Sequence, residues 1–250
     1  MSPTRRLNSW AETPLVLEYE TPNSAELDRI RAGSDVVEFH SSSRLILDQS
    51  YFKLGLDGSM TQTFTRAAIR DRLEEGLKLL PEGYGLIIFD AFRTILCQRA
   101  LLVWMAQDAK KRQPELTDEE CDRISRLFVA DPDDKERPTV PTHNSGGAID
   151  LGLTFNGKLV DYGTDFDEPS PLSNTIALES DFDAKAGISH DRWLEGRRNR
   201  RILFHWMREM GFTNLSSEWW HYDLGDYLWS RQVSLPWIFE SMEAEVKALV

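Results

Sequence analysis

The spacing of apolar residues along the chain predicts several amphipathic helices separated by short buried strands. Apolar residues recur at helical spacing over 69–80, 94–112, 191–210 and 238–250, and Gly211 suits a left-handed cap after the third of these. Thr117 and Glu120 form a capping box, which predicts a further helix to about residue 130. Compact apolar runs over 44–48, 84–89 and 217–224 predict strands.

Asn156 and Gly157 predict a tight β-hairpin between residues 147–153 and 158–162. With helices in the first half and a hairpin sheet in the second, the order of elements predicts an α+β fold. We expect a single domain over 36–250, built on a small antiparallel sheet flanked by helices. The polar residues 1–35 predict an extended N-terminal arm, with at most a short helix over 25–32.

Composition narrows the classes of partner. The formal net charge is −12, so a broad positive field for phosphate backbones is absent and we expect no nucleic-acid partner. No apolar run approaches the ~18 residues needed to cross a bilayer, so we expect no membrane partner. Arg5 and Arg6 are not followed by an apolar export segment, which predicts a cytoplasmic protein. The sequence carries no expectation for the oligomeric state.

The two cysteines are not expected to form a disulfide or a metal site. Cys97 and Cys121 lie in predicted helices and lack the spacing of paired metal ligands, so both are interpreted as reduced core residues.

Two of the five histidines stand in compact clusters with carboxylates. His143 precedes Asp150 in one short segment, and Gly146 with Gly147 allows a tight turn that brings a loop histidine beside a strand carboxylate. The remaining histidines have no evident carboxylate partner and are interpreted as structural: His40, His190 and His205.

The second cluster joins Glu218 to His221 across Trp219 and Trp220, which we interpret as core or cleft-wall aromatics. The odd spacing of Glu218 and His221 would send them to opposite faces of an ideal strand, so we expect a bend or turn there. Two imidazoles and a carboxylate are a common catalytic zinc set that leaves one position for water. Glu218 then suits a general base that does not ligate the metal.

The same ligand types also form the facial triad of non-haem iron(II) oxygenases. Such triads typically place a histidine and a carboxylate two positions apart on one strand, and they need no glutamate beside the distal histidine. The spacing in this chain therefore favours hydrolysis.

Several motifs together resemble one family, the VanX-type D-alanyl-D-alanine dipeptidases within the wider group of zinc D-Ala-D-Ala peptidases. Residues 90–93 resemble its Asp-Gly-Tyr-Arg, 143–150 its His-x-x-Gly-x-Ala-x-Asp, and 218–221 its Glu-x-Trp-His. Residues 163–167 and 199–201 also resemble dipeptidase segments. At two positions this chain differs, having Pro141 where the dipeptidases have serine and Thr94 where they have proline.

The resemblance implies a zinc metallopeptidase that hydrolyses a small dipeptide such as D-Ala-D-Ala in the turnover of cell-wall precursors. It implies one Zn²⁺ per chain and assigns the following roles: His143, Asp150 and His221 as ligands, Glu218 as base, Arg93 as oxyanion stabiliser and Asp167 as partner of the substrate ammonium. Two alternatives stay open, a D,D- or L,D-carboxypeptidase acting on peptidoglycan peptides and a non-catalytic zinc-binding module. The second is disfavoured because a purely structural zinc site is usually closed by four protein ligands.

Overall fold

The computed structural model describes residues 1–136 and 140–250. The helices are α1 (Pro3–Glu12), α2 (Ser24–Ala32), α3 (Ser50–Lys53), α4 (Ala67–Leu77), α5 (Ile95–Arg112), α6 (Asp118–Phe128), α7 (Thr142–Ser145), α8 (His190–Glu209), α9 (Tyr227–Val233) and α10 (Glu243–Lys247). The strands are β1 (Val36–Glu38), β2 (Leu45–Leu47), β3 (Phe64–Arg66), β4 (Tyr84–Asp90), β5 (Ala148–Phe155), β6 (Lys158–Leu159), β7 (Thr213–Asn214) and β8 (His221–Asp223). Short 3-10 turns span Pro171–Ser173 and Ala177–Glu179.

The main sheet has the strand order β2-β4-β5-β8-β7, and β6 pairs with β5 beside this path. The predicted α+β fold is confirmed. The expectation of an antiparallel sheet is wrong at one place, because β2 pairs with β4 in parallel. That pair is reached by a crossover through α3, β3 and α4, which a parallel connection requires.

Strand β5 lies at the centre of the fold, with every residue buried except Phe155 at its end. The predicted hairpin is confirmed, since Asn156 and Gly157 both have positive φ, at 51° and 75°. Two successive positive φ values are those of a type I′ turn, whose twist matches the strands that it joins. This hairpin fixes the register of β5.

Helix α8 packs its apolar face on this sheet. Ile202, Leu203 and Trp206 are fully buried in one cluster with Leu86 and Leu151 of the sheet. Burial of each such side chain stabilises the fold by about 1.5–3 kcal/mol relative to exposure. Cys97 and Cys121 are buried and free of disulfides, as predicted.

The extended arm predicted for residues 1–35 is wrong at its start, where α1 forms. Ser2 caps this helix by accepting from the backbone N–H of Arg5, and a proline at the first turn suits a helix start. Leu7 and Trp10 then fall on one face and are buried in the main core cluster. The helix at α2 agrees with the predicted 25–32. The domain boundary at residue 36 stays a prediction.

Near the C-terminus, two predicted elements are shorter than the sequence indicated. The helix expected over 238–250 is confined to α10, because the backbone N–H groups of Ile238 and Phe239 instead donate to the carbonyl of Gly225. The strand expected over 217–224 is confined to β8. Among the residues that the structure describes, no helix is long and apolar enough to span a membrane.

Candidate active site

The register of the sheet brings two aspartates and one histidine together. Asp150 on β5 lies directly across from His221 on β8 and, on its other side, across from Asp90 at the end of β4. His143 is supplied by α7, immediately before β5. Residues far apart in the chain therefore meet over one strand.

The turn between α7 and β5 depends on Gly146. Its φ is +73°, a left-handed conformation that favours glycine. A Cβ at this position would also overlap the sulfur of Met242. The tight turn expected at the glycine pair is confirmed, and it turns the His143 ring back over Asp150.

The candidate ligand atoms of these three side chains all lie within 4.8 Å of one another. His143 Nε2 is 3.2 Å from His221 Nδ1, His221 Nδ1 is 3.0 Å from Asp150 Oδ1, and His143 Nε2 is 3.4 Å from Asp150 Oδ2. All three side chains are buried. Within the described ranges, this trio is the group of His, Cys, Asp or Glu side chains that could hold a metal ion.

Hydrogen bonds on the far side of each ring orient the two imidazoles. His143 Nδ1 lies 2.7 Å from the carbonyl of Ala91, and His221 Nε2 lies 2.8 Å from Asp223 Oδ1. Since both partners are acceptors, a neutral ring would carry its proton on each of these nitrogens. The lone pairs of His143 Nε2 and His221 Nδ1 therefore face the same space, as metal-ligating histidines require.

The donor set fits zinc. Donors at ordinary zinc distances in a tetrahedron stand about 3.3 Å apart, close to the 3.0–3.4 Å separations found in this trio. Burial disfavours the charge on Asp150, yet His143 and His221 hold its pKa well below the usual range. A carboxylate that stays ionised beside two imidazole rings is a suitable ligand for a divalent cation.

Glu218 lies beside this trio without joining it. Its Oε2 is 3.9 Å from His221 Nδ1. The expected departure from an ideal strand is confirmed, because Trp219 and Trp220 form a turn before β8 begins. Burial, reinforced by the negative charge of Asp150, raises the pKa of Glu218 to about 8.

Arg93 and Asp167 complete the site through Tyr51. Arg93 Nη2 is 3.7 Å from Asp150 Oδ2 and donates to the hydroxyl of Tyr51 at 3.1 Å, while Tyr51 donates to Asp167 Oδ2 at 2.9 Å. Asp90 accepts from Arg93 Nε at 2.9 Å. Burial and the charge of Asp150 raise the pKa of Asp167 to about 6.

These side chains line one cavity of about 530 Å³ that is partly open to solvent. The structure thus brings together all six residues singled out from the sequence: His143, Asp150, His221, Glu218, Arg93 and Asp167. Apolar groups form much of the remaining wall, from Leu101, Phe128, Val129, Leu215 and Leu228.

Sequence reasoning missed three residues of this site. Asp223 could have been found, because it lies two positions after His221 on a strand and so shares its face. Asp90 stands three positions before Arg93 in a motif that was used only for its arginine. Tyr51 belongs to α3, and no local pattern connects it with the ligands.

The residues interpreted as structural keep that interpretation. His205 Nε2 bonds to the carbonyl of Thr13, and His190 contacts the ring of Phe182. Trp219 and Trp220 are buried in the main core cluster.

The family model described as "D-ala-D-ala dipeptidase" (peptidase M15) matches residues 65–236, which is more than half of the chain and contains every candidate site residue. The chain belongs to this peptidase M15 family. The expectation of a zinc metallopeptidase is thereby confirmed for the family, and the oxygenase and non-catalytic alternatives are set aside. The trio of His143, Asp150 and His221 could hold one metal ion.

Curated relatives of this M15 chain have names that agree with the description of the family model. A D-alanyl-D-alanine dipeptidase from Synechocystis sp. is 26% identical over 200 residues, which are 73% of this chain and 78% of that protein. Dipeptidases from Enterococcus faecium and Enterococcus faecalis are 33% and 30% identical, each over 58% of this chain and 64% of the relative. The chain therefore spans just under two thirds of the two enterococcal proteins.

Among solved structures, the M15 chain matches a mutant of the vancomycin resistance D,D-pentapeptidase VanY in complex with Zn(II), at 14% identity and a TM-score of 0.38. That match covers 86% of this chain and 87% of the other. The TM-score is too low to bear on the fold or the function.

Proposed function

We propose that the protein is a zinc-dependent dipeptidase that hydrolyses D-Ala-D-Ala-like dipeptides. The observation that carries the proposal is the presence, in one cavity, of a three-donor metal site, a non-ligating glutamate, a buried arginine and a separate carboxylate. Relatives named D-alanyl-D-alanine dipeptidases support the choice of substrate.

In this proposal His143, Asp150 and His221 hold the zinc. When bound, zinc lowers the pKa of a water ligand toward ~7 and polarises the scissile carbonyl. Burial without metal favours the protonated form of Glu218, and the positive charge of a bound zinc ion would favour the ionised form, so that Glu218 can accept the proton of the attacking water and deliver it to the leaving amine. Its position beside His221, at 3.9 Å rather than within the donor set, leaves its carboxylate free for this transfer.

Arg93 stabilises the negative charge that develops on the carbonyl oxygen. The guanidinium is a fixed charge, and its contacts with Asp90, Gln98 and Tyr51 hold it in place before substrate binds. Such preorganised donors stabilise a transition state without rearrangement of the site.

Asp167 pairs with the free ammonium of the substrate. It faces the same cavity as the metal trio, and its bond from Tyr51 fixes the position of one carboxylate oxygen. A carboxylate at this place selects a peptide whose N-terminus lies next to the scissile bond, which is a dipeptide.

The in-class alternative is a D,D- or L,D-carboxypeptidase. Pro141 lines the cavity where the dipeptidase pattern has serine, and a proline offers neither a side-chain nor a backbone donor to a short substrate. This difference is what keeps the carboxypeptidase alternative open.

A cytoplasmic location and the lack of a nucleic-acid partner also stay predictions from the sequence.

The experiment is a metal assay coupled to a substrate screen. Purified protein carrying about one zinc per chain is tested on D,D-, L,D- and L,L-dipeptides and on tripeptides that end in D-Ala-D-Ala. We expect turnover of D,D-dipeptides to dominate. Preferential cleavage of the tripeptides would support the carboxypeptidase instead, and iron with oxygen uptake would exclude both hydrolases.

A further inference from the structure

Arg200 is a buried cation whose guanidinium spans the loop that carries Asp167. Only 1% of its surface is exposed. Its Nε donates to the carbonyl of Tyr162 and its Nη1 to that of Asn174, both at 2.8 Å. One side chain thus joins the two ends of the loop formed by residues 162–174.

This arrangement is unusual for a buried arginine. In the described part of the chain no carboxylate lies within ion-pair distance of Arg200, so its partners are neutral oxygens. Burial lowers the pKa of Arg200 to about 9, which leaves the group charged at neutral pH. A charge kept in the interior without a counter-ion is costly, and its hydrogen bonds to the loop must offset that cost.

Thr164 connects the loop to the turn that carries Glu218. Thr164 Oγ1 accepts from Trp219 Nε1 at 2.9 Å and from Arg200 Nη2 at 3.4 Å, and it lies 3.3 Å from Ser173 Oγ. Ser173 gives its own proton to the carbonyl of Glu168, so the Thr164 hydroxyl donates to Ser173. Every donor and acceptor position of this hydroxyl is therefore used.

Further contacts hold the same loop against its neighbours. Trp219 N donates to the carbonyl of Ser173 at 3.1 Å, and the rings of Tyr162 and Trp219 stack with centroids 3.8 Å apart. On α8, Asn199 Nδ2 donates to the carbonyl of Asp161 at 2.8 Å. The loop is thus fixed both to α8 and to the turn beside Glu218.

Asp167 needs such support because of its backbone. Its φ is +59°, in the left-handed region that favours glycine and that other residues adopt less readily. Residues in such conformations persist where the surrounding structure over-determines them. The Arg200 and Thr164 bonds lie on both sides of Asp167 in the chain and supply that constraint.

We propose that Arg200 and Thr164 are positioning residues that set the place of Asp167 relative to Glu218, and so determine the preference for a free N-terminal ammonium. The inference rests on the proposed dipeptidase function. Both residues act through the loop backbone, and neither is assigned contact with substrate.

The test compares Thr164→Val with Thr164→Ser in the full-length zinc enzyme. Valine keeps the shape of threonine but removes the hydroxyl, whereas serine retains it. For each variant we measure zinc content, and kcat and KM for D-Ala-D-Ala and for N-acetyl-D-Ala-D-Ala. Arg200→Lys provides a second variant, and Arg201→Lys is its matched control because Arg201 pairs with Glu179, which lies outside residues 162–174.

We expect Thr164→Val to keep its zinc and to raise KM for D-Ala-D-Ala by roughly tenfold. The slow turnover of the N-acetyl peptide should stay unchanged, because that substrate does not use Asp167. Thr164→Ser and Arg201→Lys should resemble the wild type, and Arg200→Lys should share the loss of selectivity.

Two results would overturn the inference, and they are distinguishable. If the wild type prefers the free dipeptide and Thr164→Val does so equally, or slows both peptides alike, the network does not position Asp167 although the proposed function stands. If the wild type itself turns over both peptides equally, the role of Asp167 fails, and the inference fails with it.

Discussion

His143 Nε2 and His221 Nδ1 lie 3.2 Å apart, and the other nitrogen of each ring is held by an acceptor. Because Ala91 and Asp223 fix the two tautomers, both lone pairs point to one space beside Asp150. The metal site is thus organised by groups outside it as much as by its ligands.

Replacement of Asp223 by asparagine tests that organisation. Asp223 is fully buried, and its carboxylate strengthens the basicity of His221 through Nε2. We expect Asp223→Asn to weaken zinc binding by about 10–100-fold, measured by competition with a chelator. Asp183→Asn, at an exposed carboxylate, is the control. An unchanged zinc affinity would show that Asp223 does not support the ligand.

Glu218 and His221 are expected to respond differently to substitution. Glu218→Gln keeps the shape of the side chain but cannot accept a proton, so zinc should stay bound while kcat falls by about 10²–10⁴-fold. His221→Ala should lose the metal. Zinc content is measured beside the rate, with exposed His190→Ala as a control that keeps both. Two results would contradict the role of Glu218 as a base that does not bind the metal. One is a Glu218→Gln variant that loses its zinc as fully as His221→Ala, and the other is a Glu218→Gln variant that retains near-normal turnover.

The charge of Asp167 should determine selectivity for the substrate amine. Asp167→Asn removes one charge-assisted contact, so kcat/KM for D-Ala-D-Ala should fall by roughly 10–100-fold while that for the N-acetyl peptide changes little. Asp165→Asn alters an exposed carboxylate two positions away and should leave both values unchanged. Equal losses for the two peptides would remove Asp167 from amine recognition.

The candidate site was largely predictable because its residues lie in short motifs with chemically restrictive composition. A histidine before a glycine pair and a strand aspartate, or a glutamate near a histidine, can be recognised without the fold. Tyr51 was not predictable, since only the packing of α3 brings its hydroxyl between Arg93 and Asp167.

The fold was predictable where periodicity was long and capped, as in α5, α6 and α8. It failed at the chain ends for different reasons. Helix α1 has a cap and a small apolar face, but its short polar sequence resembled an arm. Residues 238–250 have the apolar spacing of a helix, yet the backbone N–H groups of Ile238 and Phe239 donate to the carbonyl of Gly225. No local pattern in the sequence reveals this tertiary contact.

Gly196 should be needed for close packing of α8 against the first residues of the loop 162–174. A Cβ there would lie 2.8 Å from the carbonyl carbon of Tyr162 and 2.9 Å from the nitrogen of Gly163. We expect Gly196→Ala to lower the free energy of unfolding by about 1–3 kcal/mol, despite the better helix propensity of alanine. Denaturant unfolding measures this, and exposed Glu195→Ala should change stability by less than about 0.5 kcal/mol. A stabilised Gly196→Ala would contradict the contact.

The central claim is that a zinc ion held by His143, Asp150 and His221 enables hydrolysis of a free D,D-dipeptide. The most direct measurement is the release of D-alanine from D-Ala-D-Ala by purified protein, before chelation, after chelation and after one equivalent of Zn²⁺ is restored. We predict turnover by the zinc form, loss on chelation and recovery at about one zinc per chain. Turnover that survives complete removal of the metal, or no D-alanine release from the fully zinc-loaded protein, would contradict the account.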